Sequence, residues 1–164
     1  MSSDDRDHAY YNRRQPIPPA LYPAARCAGT PPARLLLGVE QFNRRDYFEC
    51  HETLEAEWNA EPGTVRTLYK GLLQVGVGCY HLLRGNYRGA ILKLQTGSDY
   101  LSPFAPRCMG VEVGELIAQA QRLRAAIVAH GPERLAEVDP ALLPHVCLST
   151  ARADGGPDDP ASRA

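Results

Sequence analysis

From residue 33 to residue 130 the apolar residues recur three and four positions apart, and proline, glycine or asparagine punctuates the series. That spacing lines one face of an α-helix. The breaks at Pro31-Pro32, Pro62-Gly63, Gly85-Asn86, Pro103 and Gly131-Pro132 cut it into helix-sized pieces, because proline removes a backbone donor and glycine ends helices readily. No run alternates apolar and polar residues between hairpin turns, so nothing reads as a strand. The expected fold is all-α, a compact bundle of about five helices. The connections are short, about two to eight residues, so consecutive helices should be antiparallel neighbours.

The punctuation also sets boundaries. A first helix spans about 33–43 with Leu35, Leu36, Val39 and Phe42 on one side. Asp46 is the expected N-cap of a second, which ends near Asn59. Thr64 should cap a third that runs to about Arg84, and Asn86 a fourth that runs to Leu101. A fifth covers about 111–129, and short helical turns follow Pro132 and Asp139-Pro140. Around this domain (34–148) lie an arm at 1–33 with six prolines and a tail at 149–164 rich in Asp, Gly, Pro and Ser. Both compositions disfavour regular structure, although Tyr10, Tyr11, Leu21 and Tyr22 could pin the arm to the domain.

Composition narrows the function classes. With a formal net charge of -1 and a pI near 6.5, the chain lacks the basic face expected of a nucleic-acid binder. No apolar stretch reaches the roughly 18 residues needed to span a bilayer. Five cysteines stand singly with no C-x-x-C pair, which reads as reduced intracellular thiols. The acidic start, Met1 to Asp5, has no apolar run to make a signal peptide. The expected location is cytoplasmic, with neither nucleic acid nor membrane as a partner.

One segment carries chemistry. In His51-Glu52-Thr53-Leu54-Glu55-Ala56-Glu57-Trp58, His51, Glu55 and Trp58 stack along one helix face. At about 100° per residue, Leu54, Tyr47, Trp58, His51, Glu55 and Phe48 share an arc of about 120°, and that arc is expected to be the buried one. An imidazole beside a carboxylate inside a core must be paired, hydrogen-bonded or bound to a metal. His51 and Glu55, four apart, can reach one ion. A second histidine at position 55 would have made the zinc-protease motif, but Glu55 stands there. Glu52 should point toward the rim.

A further ligand has to come from another helix. On the third helix Leu68, Leu72, Val75, Cys79, Leu82 and Leu83 form the apolar face, with Lys70, Gln74 and His81 clustered opposite. Such a stripe is ordinarily solvated, yet it would line a cleft if another helix covered it. Gly71, Gly76 and Gly78 interrupt this helix and mark close crossing by a neighbour. Glu40 or Asn43 of the first helix could also face the His51 stripe.

Together, Phe42-Asn43, Tyr47-Phe48, His51-Glu52, Glu55 and Trp58, then Lys70-Gly71-Leu72-Leu73-Gln74, His81, Gly85-Asn86 and Gly89-Ala90 resemble the domain of unknown function 309 family. These are small helical proteins of bacteria and archaea with an H-x-x-x-E-x-x-W/Y signature. The resemblance covers about 35–101. It implies an all-helical fold and a metal role for the motif, which lands on His51, Glu55 and Trp58. Gln74 and His81 match recurring family positions.

The resulting expectation is a divalent metal (zinc, iron or manganese) held by His51, Glu55 and His81. Tyr47, Trp58 and Gln74 would line the pocket, and Glu52 or Gln74 would position water or substrate for hydrolysis of a small molecule. The competing expectation is a non-enzymatic structural or interaction module, in which His51 and Glu55 form a buried hydrogen-bonded network. A small molecule, a protein or a second copy of the chain would then be the partner.

Overall fold

The computed structural model describes residues 27–149. Within them the chain forms α1 (Ala33–Asn43), α2 (Tyr47–Ala60), α3 (Arg66–Leu83), α4 (Tyr87–Leu101) and α5 (Val113–His130). Short 3-10 turns lie between α4 and α5 at Ser102–Phe104, and after α5 at Pro132–Glu137 and Pro140–Leu142. There is no strand among the described residues, only isolated bridges that tie Val111 to Cys108 and to Leu148. Among these residues, too, no helix is long and apolar enough to cross a membrane. The arm up to residue 26, its Tyr10, Tyr11, Leu21 and Tyr22, and the tail beyond residue 149 lie outside the described residues.

The helix ends follow the local chemistry. Asn86 caps α4 as expected, its side-chain oxygen accepting from Gly89 N at 2.9 Å. Asp46 occupies the N-cap position of α2 without making a side-chain cap bond. Thr64 lies one residue too early, in a turn whose backbone hands over to Val65 at the start of α3.

α3 is the axis of the bundle. Its run from Leu68 to Gly76 is buried throughout, because α2 and α4 pack on it from different sides. Small residues set the α3–α4 approach. A Cβ at Gly71 would stand 2.7 Å from Leu101, and one at Gly97 would stand 2.9 Å from Val75 N and 3.0 Å from Gly71 O. Those last neighbours are backbone atoms, which cannot swing aside, so the glycines serve helix crossing. α5 closes the far side of α4, where Gln121 donates to Ser98 Oγ at 2.8 Å and Arg124 to Ile91 O at 3.0 Å.

Three expectations are corrected. Asn43 does not face His51. Its amide exchanges hydrogen bonds with the backbone of Val146, at 3.0 and 2.8 Å, and so clamps the C-terminal strap of the domain to α1. Glu40 is exposed and paired with Arg44 at 3.2 Å. The cysteines are not all free thiols: Cys27 and Cys108 form a disulfide across 81 residues of chain. Met109 N donates to Cys27 O at 2.8 Å, which holds the two segments side by side. A pairing between such distant single cysteines leaves no local spacing signal.

The glycine crossing gives a direct test. Gly97→Ala should destabilise the protein by about 1–3 kcal/mol, the usual cost of overpacking a closed interface, as read from the urea midpoint at unchanged slope. A midpoint equal to or above wild type would mean that α3 and α4 have room to separate.

Candidate functional site

Around α2 the exposure follows the helical arc. Leu54 is 1% exposed and Tyr47 3%. The His51 side chain is 27% exposed, that of Glu55 40%, and Phe48 reaches 62%. The arc expected to be buried is therefore a slope from core to solvent. Its buried end is centred on Leu54 and Cys50, which face α1 and α3, and Phe48 falls outside the core. His51 and Glu55 sit on the shoulder, reachable from water.

On that shoulder His51 Nδ1 stands 3.7 Å from Glu55 Oε1 and 3.9 Å from Glu52 Oε2. Both separations exceed hydrogen-bond length. A ligand atom from each of His51, Glu52 and Glu55 lies within 4.8 Å of the other two. One ion could bridge such a group with side-chain adjustment alone. Glu52 was expected at the rim as a catalytic candidate, and the geometry makes it the third potential ligand. The signal was its adjacency to His51: residues i, i+1 and i+4 can converge when a long carboxylate bends back over its own turn.

His81 lies elsewhere. Gly76 packs against Tyr47, and Arg66 Nε donates to Trp58 O at 3.3 Å. This antiparallel register sets His51 level with Leu72 and Leu73. His81 is eight or nine residues farther along α3, about 12–13.5 Å at helical rise. Its Nδ1 is 3.3 Å from Asn86 Nδ2, and its ring packs where a Cβ on Gly89 would come within 2.8 Å.

The stripe opposite the apolar face of α3 is not solvated. Lys70 is 2% exposed and Gln74 1%. Measured around α3 from Arg66, which faces α2, residues 70, 81 and 74 fall at about 40°, 60° and 80°, while Gly78 and Gly71, which face α4, fall at about 120° and 140°. The stripe is thus the floor of the seam between α2 and α4. Trp58 forms one wall, its ring covered by the Arg66 guanidinium at 4.4 Å and the Lys70 ammonium at 5.0 Å from the centroid, both within cation–π range. From α4, Lys93 is buried to a similar degree. It lies one turn from Gly89 and one from Gly97, whose missing side chains admit His81 and Val75 of α3, so it stands on the side of α4 that borders the seam. Its signal in the sequence was that position between two glycines, and the motif reading passed over it.

Gln74 has neither its amide oxygen nor its amide nitrogen hydrogen-bonded. Leaving a buried polar group bare costs about 1–3 kcal/mol. Nearer the core, Tyr47 has its hydroxyl beside the Cys79 thiol, a weak acceptor, with no oxygen or nitrogen partner. Burial, and then the neighbouring thiol, hold the phenol far above its ordinary range. Burial likewise pushes both Cys50 and Cys79 up to about 12, with the Cys79 thiol adding to the effect on Cys50.

Residues 35–92 match a family described as a domain of unknown function, DUF309. This segment is similar to that domain over about a third of the chain. The match begins where the resemblance was expected and ends nine residues before Leu101, within α4. A Bacillus subtilis (strain 168) relative described as uncharacterized protein YpuF is 47% identical over 53 residues, which is 32% of this chain and 30% of that protein. The chain therefore spans under a third of that relative's length. The matched segment runs from within α1 to within α4, and so contains His51, Glu52, Glu55, Lys70 and Gln74.

The thiols make the interior testable. In native, unreduced protein, Ellman's reagent should label Cys147, which is exposed and free, and leave buried Cys50 and Cys79 protonated and untouched at pH 8. Rapid labelling of three thiols would contradict the burial. The raised values also fix a sign. Below about pH 9 both folded and unfolded chains keep these thiol protons; above it the unfolded chain releases them first, so stability falls as pH rises from about 9 toward 12. Cys79→Ala should flatten that alkaline slope in denaturant titrations.

Proposed function

We propose that His51, Glu52 and Glu55 hold a divalent metal ion on the shoulder of α2, and that the protein is a metal-dependent hydrolase of a small substrate. The observation that carries this reading is the convergence of one imidazole and two carboxylates within 4.8 Å on a face open to solvent. Mixed nitrogen and oxygen donors suit zinc, iron or manganese. Three protein ligands leave coordination open, and an ion held so supplies Lewis acidity and a nucleophile from water at neutral pH. The chain's own residues would do the rest. Trp58, held by Arg66 and Lys70, walls the approach, Tyr47 anchors the start of α2 in the core, and Gln74 offers a donor and an acceptor one to two residues along α3 from the level of His51.

The competing reading, a sealed hydrogen-bonded network, requires contacts that this geometry does not favour. His51 and Glu55 are 3.7 Å apart and both partly exposed. A structural pair would be shorter and covered.

Elemental analysis of untagged protein purified without chelator tests the proposal. Wild type should carry close to one zinc, iron or manganese per chain, and His51→Ala and Glu55→Gln should lose it. In the presence of chelator these variants should melt within about 2 °C of wild type, since exposed substitutions cost little. Metal-free wild type whose melting temperature is unmoved by added zinc, iron or manganese would rule the site out. A His51→Ala loss of several degrees in chelator would instead mark a structural histidine.

A further inference from the structure

At the C-terminal end of α3 the apolar side chains do not close against one another. Gly85 follows the helix with φ at 79°, and a Cβ built there would meet nothing within 4 Å. Between that end of α3 and the 3-10 turns after α5 lies an open cavity of about 320 Å³, lined by Leu82, Leu83, Leu135, Val138, Pro140 and Leu143. Leu83 keeps 55% of its surface in water, so the packing here is unfinished. A space of this size holds roughly ten groups as large as a water molecule, and it stands at the lower bound of ligand pockets, about 300 Å³. Leu82 lies nine or ten residues along α3 from the level of His51, about 13.5–15 Å at helical rise. The cavity is therefore separate from the metal ligands.

One cation marks its edge. Arg45 is exposed in the left-handed turn after α1, with φ at 65°. Its Nη2 donates to the carbonyl of Pro140, a lining residue, at 3.4 Å. A guanidinium has five N–H donors, and Arg45 makes no ion pair among the described residues, whereas its neighbour Arg44 is held by Glu40 and Asp46. The turns that line the cavity do not supply a carboxylate for it either: Glu137 is paired with Arg134 at 2.8 Å, and Asp139 accepts from Ala141 N at 2.9 Å. The site is thus apolar within and positive at one point of its edge.

We propose that this cavity binds a medium-chain aliphatic carboxylate, a fatty acid of about eight to ten carbons. The chain lies among the leucines and Val138, and the carboxylate pairs with Arg45. Each methylene taken from water favours binding, and the planar guanidinium matches a carboxylate with two parallel hydrogen bonds. Fatty-acid binding here is independent of the metal reading.

The test titrates decanoate, hexanoate and decanol into the full chain by calorimetry, against wild type, Arg45→Gln, Ala136→Phe and His51→Ala. Ala136 lines the cavity and is exposed, so a phenylalanine there fills the space at little cost to folding. Wild type should bind decanoate saturably at one per chain, and hexanoate more weakly by up to about fourfold per methylene removed. Arg45→Gln should weaken decanoate about tenfold or more and leave decanol unchanged. Ala136→Phe should weaken both. His51→Ala should leave decanoate affinity within about twofold, so this reading and the metal reading fail separately. Four results would each overturn the proposal: no saturable binding of decanoate, affinity independent of chain length, binding that Arg45→Gln leaves unchanged, or a dimer that Ala136→Phe abolishes and decanoate does not, which would assign the face to a second copy. Should Ala136→Phe fail to fold, methyl NMR of wild type decides the location: decanoate should shift Leu83, Val138 and Leu143, and shifts confined to other methyls would contradict the site.

Discussion

The close crossing of α3 and α4 is the constraint on which the rest of this structure depends. Gly71 and Gly97 let the two backbones approach until a single methyl group would strike main-chain atoms. With α4 that close on one side and α2 packed on another, α3 has no solvated face along its middle. A helix wrapped in this way is expected to be apolar all round. This one instead keeps Lys70 and Gln74 at its most buried stretch. Since burying such groups opposes folding, their place at the centre of the bundle calls for a reason outside stability.

The geometry of α2 supplies a consistent one. Its arc slopes from Leu54 in the core to Phe48 in solvent, with His51 and Glu55 partway along. Residues at that height are held by the packing beneath them and remain reachable from above, as a binding group requires. Trp58 links the two features, since it belongs to the α2 arc and carries Lys70 of α3 on its ring. An imidazole and two carboxylates thus gather on the α2 shoulder, while Lys70 and Gln74 lie buried on α3.

Much of the fold was legible because the punctuation is local chemistry. The bounds of α1, α2 and α4 follow from Pro31-Pro32, Pro62-Gly63, Gly85-Asn86 and Pro103 to within a residue or so, and the Asn86 cap is observed. The site was less legible, because periodicity gives a direction around each helix but not what lies opposite. Phe48 shares an arc with Leu54, yet the core is centred to one side of that arc. Lys70 and Gln74 oppose an apolar face, yet both are buried. The grouping of Glu52 with His51 depends on side-chain reach, and the Asn43–Val146 clamp and the Cys27–Cys108 disulfide join segments far apart in sequence. The family match spans the motif on α2, and neither its description nor that of the YpuF relative carries an activity.

The claim at the centre of this account is that the α2 shoulder holds a divalent ion. Crystals soaked in manganese or zinc, with anomalous differences recorded at the metal's absorption edge, test it most directly. The account predicts one dominant peak about 2.0–2.2 Å from a ring nitrogen of His51 and from carboxylate oxygens of Glu52 and Glu55. No peak at His51, or a dominant peak at other residues with His51 and Glu55 hydrogen-bonded to each other, would contradict it.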